Sequence, residues 1–401
     1  MLKEKIIVIG TGFSGAYIAR ELAERGHKIE MLERREHIGG QMFDYIDEET
    51  GCLVHKYGPH IFHTDDDDIW NWLNKFSKFT PYKLRTQVWF ENEQKWLTCS
   101  FGFHTIDELY DKGTAMQIKA GLKENFPGRE TVTVPELLDC EDLFVRDFSL
   151  KLWEQDYREY TAKQWGIDPE KVDPDILKRV PVYMGYFDKI HNNKYEALPT
   201  EGYTKLFETI YNHPNISIEL NVDANERLEI KDNKVFYNGE QSLVVFTGAI
   251  DELFNYKHGE LGYRSLRFEN EVTKHTFTKD GEPSVDIYPD PKYPYTRITN
   301  FGKLPIQNNL EFQISAKEYS LPFELNKGLE RYYPLSTPKD KELLEKYLKD
   351  ADGINGLYLA GRLADYKYYD MDKALIAARG KLGKIISENV WHRSVCMLSL
   401  N

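Results

Sequence analysis

The hydrophobic and polar residues of this chain follow two different periods. Short apolar runs lead into glycines at Ile6–Gly10 and Gly356–Gly361, and a stretch with apolar residues at helical spacing follows each of them. A similar succession of strand and helix patterns returns between Tyr203 and Phe254. Strands that alternate with helices in this way predict an α/β fold.

Two other kinds of pattern interrupt these α/β segments. Thr80–Cys99 alternates and is rich in aromatic and β-branched residues, which predicts a hairpin. Residues 105–178 carry apolar residues at spacings of three and four and predict a helical insertion. Extended aromatic-rich stretches at Val182–Tyr195 and Ser265–Ser320 predict an antiparallel sheet.

The glycines after the first apolar run have the spacing of a dinucleotide-binding turn. Gly10 permits a tight turn, Gly12 lets backbone approach a pyrophosphate, and Gly15 lets the new helix pack closely on the strand. The helix that follows has its N-terminus facing the anion, and Phe13 and Ser14 in this turn are expected to bind the cofactor. A tight turn without a ligand is the alternative. The second strand, however, ends on Glu33, about 20 residues further on, where a ribose-binding acid is expected.

The residues after Glu33 favour FAD over NAD as the dinucleotide. Arg34 and then the pair Gly39 and Gly40 continue the motif, and the pair brings backbone close to a bound nucleotide. This continuation resembles the glutathione-reductase-like flavoproteins, which close the FAD site with a late strand and glycine. Here Gly361 ends such a strand. The segment with Asp370 and Met371 then leads into a helix-like stretch from Lys373, whose N-terminus is expected to face the flavin.

Composition narrows the class of protein. The 401 residues are 41% hydrophobic and 29% charged, as in globular proteins, and the net charge of −13 argues against nucleic-acid binding. Cys52, Cys99, Cys140 and Cys396 show no metal or disulfide spacing, so we expect free thiols. The chain opens directly on a strand and has no run of about 18 apolar residues. We therefore expect a cytoplasmic protein without a membrane span.

Together these patterns predict a Rossmann-type, glutathione-reductase-like FAD-binding domain interrupted by a helical domain and an antiparallel β-sheet domain. The chain leaves and re-enters the FAD-binding domain twice. The expected boundaries are 1–79, 201–264 and 321–390 for the FAD-binding domain, 104–180 for the helical domain, 80–103, 181–200 and 265–320 for the sheet domain, and 391–401 for a C-terminal tail.

Eight motifs in order resemble the bacterial UDP-galactopyranose mutases over nearly the whole chain, from Ile6 to about Asn389. The motifs are His37–Gly40, Tyr57–Thr64, Tyr160–Gly166, Ile176–Val182, Leu261–Leu266, Tyr295–Thr299, Lys317–Ser320 and Ala360–Asp372.

This resemblance implies an isomerase that interconverts UDP-galactopyranose and UDP-galactofuranose without net redox change. N5 of the reduced flavin would attack the anomeric carbon, with NADPH or NADH as the reductant. The protein would supply orientation and electrostatics, so we expect no side-chain nucleophile. The resemblance also implies a homodimer and a product used in cell-surface polysaccharide synthesis.

The resemblance further implies roles for individual residues. His63 and Arg297 are expected to act catalytically, beside the flavin. His60, Arg362, Asp370 and Met371 are expected to join the motif residues above in binding the cofactor. Arginine suits a diphosphate because its planar fork binds two oxygens and stays charged. The expected substrate-binding residues are Tyr157, Tyr160, Trp165, Arg179, Arg264, Tyr319, Arg362 and Tyr368.

Several of these residues have simpler explanations. His60 and His63 have metal-ligand spacing, but nothing nearby supplies a third ligand, so no metal site is predicted. Trp165 would be an ordinary core aromatic without its motif. Arginines most often form surface ion pairs.

Departures from the family pattern fall around the substrate. They are Leu84, Thr98–Phe101, Asp156 with Tyr157, and Ile190. Such changes indicate another sugar or base, so an N-acetylated or deoxygenated sugar and a different nucleotide stay open. A flavin amine oxidase or desaturase is a more distant alternative, and a non-catalytic FAD scaffold another. The arginines and tyrosines argue against both, because they suit a diphosphate.

Overall fold

The structure is a computed structural model that describes residues 5–166, 181–275, 282–308 and 310–398, the last ten as backbone only. In chain order its strands are β1 Lys5–Ile9, β2 Lys28–Leu32, β3 Asp44–Ile46, β4 Leu53–His55, β5 Phe62–Thr64, β6 Phe79–Pro81, β7 Thr86–Phe90, β8 Lys95–Thr98, β9 Thr131–Val132, β10 Val182–Tyr183, β11 Tyr195–Pro199, β12 Ile216–Glu219, β13 Leu228–Lys231, β14 Lys234–Tyr237, β15 Glu240–Gln241, β16 Leu243–Phe246, β17 Tyr263–Lys274, β18 Val285–Ile287, β19 Arg297–Asn300, β20 Phe312–Pro322, β21 Tyr333–Pro334 and β22 Leu357–Leu359.

The α-helices are α1 Phe13–Glu24, α2 Asp67–Leu73, α3 Phe103–Leu109, α4 Lys112–Asn125, α5 Val134–Leu138, α6 Leu143–Leu152, α7 Arg158–Trp165, α8 Tyr203–Tyr211, α9 Ile250–Leu253, α10 Pro338–Ala351 and α11 Met371–Leu398. Single 3₁₀ turns lie at Gly40–Met42, Ala224–Glu226 and Phe301–Lys303, and a π-helical turn at Trp153–Tyr157 joins α6 to α7.

A five-stranded parallel sheet in the order β12-β2-β1-β16-β22 carries the glycine motif. Successive residues of β1 enter two different cores, because side chains alternate across a strand. Ile6 and Val8 pack with α1, α8 and α11, whereas Ile7 and Ile9 pack with α9 and α10. Both faces of the sheet are therefore covered, which explains why β1 and β16 are nearly continuous apolar runs.

A seven-stranded sheet in the order β21-β17-β20-β19-β18-β7-β8 forms the second layer. The β7–β8 hairpin confirms the one predicted within Thr80–Cys99. The other pairs of this sheet are antiparallel, as expected, but β7 and β18 pair in parallel. These two strands come from separate excursions of the chain, so no tight turn constrains their direction.

Two other strands differ from the expected boundaries. β11 was placed in the antiparallel sheet domain, but it pairs with β5 and β6 in a separate three-stranded sheet. β21 lies beyond the expected boundary at residue 321, yet it pairs with β17 in the seven-stranded sheet. Cross-strand pairing, which the sequence does not display, decides both positions.

Helices α3 to α6 and the π-helical turn pack around one core beside the β7–β8 hairpin. The last helix, α11, continues through residue 398, so the separate tail expected from residue 391 does not begin there. Cys52, Cys99 and Cys140 are buried free thiols. Within the described ranges, no helix has the length and apolar character needed to cross a bilayer.

Candidate active site

The turn between β1 and α1 has the backbone shape that the glycine motif requires. Gly10 has φ +96°, and a Cβ there would lie 2.1 Å from Thr247 Oγ1. A Cβ on Gly15 would lie 2.1 Å from the Gly10 carbonyl oxygen, so neither position accepts a side chain. A Cβ on Gly12, in contrast, would meet no atom within 4 Å. Gly12 is thus the open side of this turn.

The start of α1 is suited to an anion. Its first intrahelical hydrogen bond runs from Ala16 N to Gly12 O, so the N–H groups of Phe13, Ser14 and Gly15 precede the regular ladder. Gly12, the N-cap, offers no side-chain oxygen, and no acidic residue occupies the first turn. The positive end of the helix is therefore left for a ligand.

The other two glycine segments meet this turn. Gly39 and Gly40 have φ +86° and +58°, and a Cβ on Gly40 would lie 3.2 Å from Gly12 Cα. Gly361 has φ +96°, and a Cβ there would lie 3.0 Å from Ser14 Oγ. Three distant parts of the chain therefore form one backbone-lined cradle. The close approach of bare backbone and an uncapped helix start fits the diphosphate of FAD.

Glu33 and Arg34 lie at one end of the cradle. The Glu33 carboxylate is buried and accepts hydrogen bonds from Thr11 N at 3.0 Å, Thr11 Oγ1 at 2.8 Å and Arg35 N at 3.1 Å. Burial raises the pKa of Glu33, but Arg35 and Thr11 outweigh burial, and the net pKa lies below its usual value. Arg34 reaches Glu252, 3.4 Å away. Glu33 is thus held ionised, as an acceptor for ribose hydroxyls must be.

At the start of α11, Asp370 is exposed and its carbonyl accepts the Ala374 N–H. Met371 is the first helical residue. The next residue, Asp372, is buried and accepts a 3.4 Å hydrogen bond from Thr64 at the end of β5. The helix start is therefore placed next to the strand that carries His63.

His63 and His60 lie on either side of Ile61 and Phe62 but have different surroundings. The ring of His63 stacks on His191 with centroids 3.7 Å apart, and its Nδ1 is 3.0 Å from Asn193 Oδ1. Burial, followed by His55 and the cations Arg362 and Arg297, lowers the pKa of His60 to about 3. Nδ1 of His60 is buried and has no partner among the described residues. His60 is therefore neutral and has a polar atom available to a bound group.

Arg297 is held by a buried carboxylate. Its Nε donates to Glu318 Oε2 at 2.7 Å, across the pair formed by β19 and β20. Burial alone would lower the pKa of Arg297, but the Glu318 carboxylate reverses this effect and raises it. Burial raises the pKa of Tyr160, and Arg297 partly opposes this effect. Arg297 stays charged and Tyr160 stays protonated beside it.

An aromatic and cationic cluster lies next to this pair. Tyr333 stacks on Tyr368 with centroids 5.4 Å apart, and the Arg362 guanidinium lies 5.8 Å from the Tyr333 ring centre. Trp165 approaches the same ring at 6.4 Å. Burial raises the pKa of Tyr333, while Arg297 and Arg362 both act to lower it. Tyr333, which the sequence analysis missed, thus connects the two arginines. It pairs with Arg264 of β17, a contact that the sequence does not display.

Arg264 and Lys163 attach α7 to the seven-stranded sheet. Arg264 is buried and donates through Nε to Gln164 O at 3.0 Å and through Nη2 to Ser320 Oγ at 2.9 Å. Lys163 Nζ donates to the carbonyl oxygens of Tyr288 at 2.6 Å and Tyr295 at 2.8 Å. Arg264, expected as a diphosphate ligand, therefore caps the end of α7 here.

Two residues expected to bind substrate, Tyr319 and Tyr157, lie elsewhere in the structure, and a third is not among the described residues. Tyr319 follows Glu318 on β20 and points to the opposite face, where its hydroxyl donates to Glu269 at 2.7 Å. Tyr319 is therefore not placed at the site. Tyr157 is buried in the helical core, where its ring centre lies 5.7 Å from that of Phe101, and is not on an open surface. Arg179 lies outside the described residues.

The departures from the family pattern come together in pairs. Ile190 N donates to Leu84 O at 3.0 Å, which joins two of them next to His191 and His63. Burial, followed by the Asp156 carboxylate, raises the pKa of Cys99, and Tyr157 packs on Phe101, which joins the other two. Residues far apart in the sequence that we expect to depart from the family pattern thus lie together at two places.

Comparison with known proteins agrees with this geometry. Residues 155–368 match the family model "GLF: UDP-galactopyranose mutase", and residues 8–76 match an NAD(P)-binding Rossmann-like domain. A probable UDP-galactopyranose mutase of Klebsiella pneumoniae is 35% identical over 94% of this chain and 94% of its own length. The dTDP-fucopyranose mutase of Escherichia coli is 35% identical over 92% of this chain and 94% of its own length.

Among solved structures, a reduced UDP-galactopyranose mutase aligns with a TM-score of 0.70 over 96% of both chains; at 16% identity this supports the fold alone. The family model spans more than half of the chain, and the curated relatives span nearly all of it. The chain therefore belongs to the UDP-galactopyranose mutase family, whose members are flavin-dependent isomerases.

Proposed function

We propose that this enzyme interconverts UDP-galactopyranose and UDP-galactofuranose without net redox change, with FAD as its cofactor. The observation that carries the proposal is the placement of Arg297, held by Glu318, beside Tyr160 and the Arg362–Tyr333–Tyr368 cluster. A nucleotide sugar carries a diphosphate between a neutral nucleoside and a neutral sugar. Arginine cations and tyrosine hydroxyl donors that lie close together suit such a diphosphate.

Reduced flavin, when bound, supplies the nucleophilic nitrogen for the anomeric carbon, and the chain's residues do the remaining work. Arg362 is available to bind diphosphate oxygens and offset the charge that grows as the glycosidic bond breaks. Tyr160, Tyr333 and Tyr368 are suited to donate hydrogen bonds there. Burial raises the pKa of Tyr160 and of Tyr333, so both keep their protons. Arg297 and His63 are assigned to stabilise the reduced cofactor electrostatically.

The test is turnover of UDP-galactofuranose under anaerobic conditions by the purified yellow protein after reduction with dithionite. Pyranose is measured by chromatography, with the oxidised protein as control. Turnover only after reduction is the expected result. Flavin reoxidation coupled to loss of substrate would instead identify an oxidase. The same assay with NADPH or NADH in place of dithionite tests our proposal that one of them is the reductant.

A second candidate substrate is a deoxygenated sugar on another pyrimidine nucleotide. The backbones of Leu84 and Ile190 are joined by a hydrogen bond next to His191, which stacks on His63, and apolar side chains at these positions would tolerate a missing sugar hydroxyl better than polar ones. The Escherichia coli relative, a dTDP-fucopyranose mutase, has the same 35% identity as the Klebsiella relative. Running dTDP-fucofuranose in parallel decides between the two, because the preferred substrate has the higher kcat/KM.

We also propose that the enzyme is a homodimer associated through the helical unit. Met116, Leu143 and Phe144 are apolar side chains on α4 and α6 that are 64%, 78% and 41% exposed. Burial of these side chains against a second copy would remove them from water. Light scattering of the purified protein should give twice the 47.0 kDa chain mass, and Leu143→Glu should reduce it.

A further inference from the structure

The side chain of Asn193 joins the His63 ring to a carboxylate. Its Oδ1 lies 3.0 Å from His63 Nδ1, and its Nδ2 donates to Asp65 Oδ2 at 2.8 Å. The other oxygen of Asp65, Oδ1, accepts from Lys194 N at 2.7 Å. The backbone N–H of Asn193 donates to Glu196 Oε1 at 3.1 Å, and Glu196 pairs with His63 across β5 and β11. Asn193 is therefore held from both its backbone and its side chain.

These contacts determine which way the Asn193 amide faces. Hydrogen bonds to Asp65, the one from the Lys194 N–H first, lower the pKa of its carboxyl group, so it is ionised. An ionised carboxylate accepts hydrogen bonds and donates none. The amide nitrogen of Asn193 must therefore face Asp65, and its oxygen must face His63.

The orientation of the amide in turn places the proton of His63. An amide oxygen accepts and cannot donate, so His63 Nδ1 carries the hydrogen of the bond to Asn193. In the neutral ring the other nitrogen, Nε2, then holds the lone pair. When the ring becomes charged, the added proton goes to Nε2, while Nδ1 keeps its bond to Asn193. The ring can thus gain or lose a proton without turning.

His191 fixes the plane of the same ring. The His63 and His191 rings are stacked, with centroids 3.7 Å apart and planes at 15°. Burial, followed by His63, lowers the pKa of His191 to about 4, so the stacked ring is neutral near neutral pH. A half-turn of His63 about its Cβ–Cγ bond would preserve the stack but turn a carbon edge toward Asn193. The hydrogen bond to Asn193 therefore selects the edge, and the stack selects the plane.

Resting on the proposed function, we propose that Asn193, oriented by Asp65, is a positioning residue that holds His63 as the Nδ1-protonated tautomer and so presents its Nε2 to the reduced flavin. His63 then acts on the flavin through one nitrogen, as an acceptor when the ring is neutral and as a donor with a positive charge when it is protonated. A partner that fixes the tautomer and orientation of a functional histidine in this way acts through that histidine.

The first measurement is the tautomer of His63 in the oxidised holoenzyme, by long-range ¹H–¹⁵N correlation NMR of protein labelled with ¹⁵N-histidine. The buffer is alkaline, so that imidazole is neutral. The signals of His63 are those missing from His63→Gln. We expect the proton on Nδ1 in the wild type.

Asp65→Asn should move this proton to Nε2. The Lys194 N–H keeps an oxygen of the new amide facing it, so the new amide nitrogen faces Asn193. The Asn193 amide must then turn its oxygen toward position 65 and its nitrogen toward His63, whose Nδ1 becomes the acceptor. Asp67→Asn is the matched control and should leave the proton on Nδ1, since Asp67 bonds the side chains of Lys194 and Tyr195 instead.

Kinetics of the reduced enzyme give the second readout. Asp65→Asn and Asn193→Ala should lower kcat about tenfold or more and leave KM within about threefold, because they misplace a group that acts on the cofactor and not on substrate binding. The double variant Asp65→Asn/Asn193→Asp again offers an acceptor to His63 Nδ1–H and a donor to that acceptor. It should recover the tautomer and most of kcat. FAD content and circular dichroism establish that the variants fold.

Three results would overturn the assignment: a wild type with the proton on Nε2, an Asp65→Asn variant with the wild-type tautomer, or a changed tautomer with unchanged kcat. Failure of the proposed function has a different signature. The reduced wild type would then not turn over UDP-galactofuranose, while the proton of His63 would still lie on Nδ1.

Discussion

Arg297 and Glu318 face each other across β19 and β20, with Nε of the arginine 2.7 Å from Oε2 of the glutamate. The Glu318 side chain is 1% exposed and that of Arg297 is 24% exposed. Removing one member of such a pair leaves a buried charge uncompensated, at a cost of about 3–5 kcal/mol. The pair therefore both stabilises the sheet and fixes a cation at the proposed reaction centre.

We expect Glu318→Gln to lower the midpoint of thermal unfolding and to reduce kcat of the reduced enzyme by about tenfold or more, because Arg297 loses the group that orients it. Glu269→Gln is the matched control, since Glu269 is an exposed acid on the neighbouring strand that bonds Tyr319 instead. Equal effects of the two substitutions on kcat would contradict the role given to Glu318.

Replacing the glycines of the first turn by alanine should impair different properties, folding at one position and FAD binding at another. Gly15→Ala would place a methyl group 2.1 Å from the Gly10 carbonyl, so we expect lower stability and poor yield of folded protein. Gly12→Ala meets no atom within 4 Å, so the chain should fold but bind little FAD, because the methyl group stands where phosphate would approach.

Flavin absorbance per folded protein separates these two effects. Gly383→Ala is the control, because a Cβ there has open space in the middle of α11 and alanine favours a helix by about 1 kcal/mol. A Gly12→Ala protein with full FAD content would show that the open side of the turn is not the cofactor face.

Tyr333 was placed at the candidate site by the structure, whereas Tyr319 was expected there from the sequence. Substituting each by phenylalanine compares the two assignments directly. Tyr333→Phe should reduce kcat/KM about tenfold or more, since a hydrogen bond to a charged group is worth about 1.5–3 kcal/mol. Tyr319→Phe should leave it within about twofold, because that hydroxyl bonds Glu269 on the other face of the sheet. Steady-state kinetics of the reduced enzyme with both variants decide the matter; a larger loss in Tyr319→Phe would restore the original assignment.

Asp156 should affect how stability depends on pH. Burial raises its pKa from the ordinary 3.8 to about 7 in the folded protein, so the folded state holds a proton that the unfolded chain releases. The stability contributed by this proton is complete below about pH 4 and is lost as the pH rises to about 7.

Asp156→Asn lacks this titration. The unfolding free energy of the variant, relative to the wild type, should therefore rise by a few kcal/mol between about pH 4 and 7 and level off above that range. Urea unfolding at a series of pH values measures it. A difference that does not change with pH would show that Asp156 is solvated or paired in the folded protein.

Several features of this protein could be read from the sequence because they depend on local geometry. Gly10, Gly12 and Gly15 predict a strand-to-helix turn. The close backbone approaches that require glycine there all lie within six consecutive residues. The same holds for the β7–β8 hairpin. The order of motifs was enough to indicate the family, which the comparisons confirm.

Only the tertiary structure decided which side chains share the site. Glu318 and Tyr319 are neighbours in sequence, but strand alternation sends one to Arg297 and the other to the opposite face. Tyr333 meets Arg362 and Tyr368 because a short strand joins the sheet edge beside β17. Asp156 and Cys99 are brought together by packing between a helix and a hairpin. Such contacts link residues distant along the chain, and local preferences of the sequence carry no information about them.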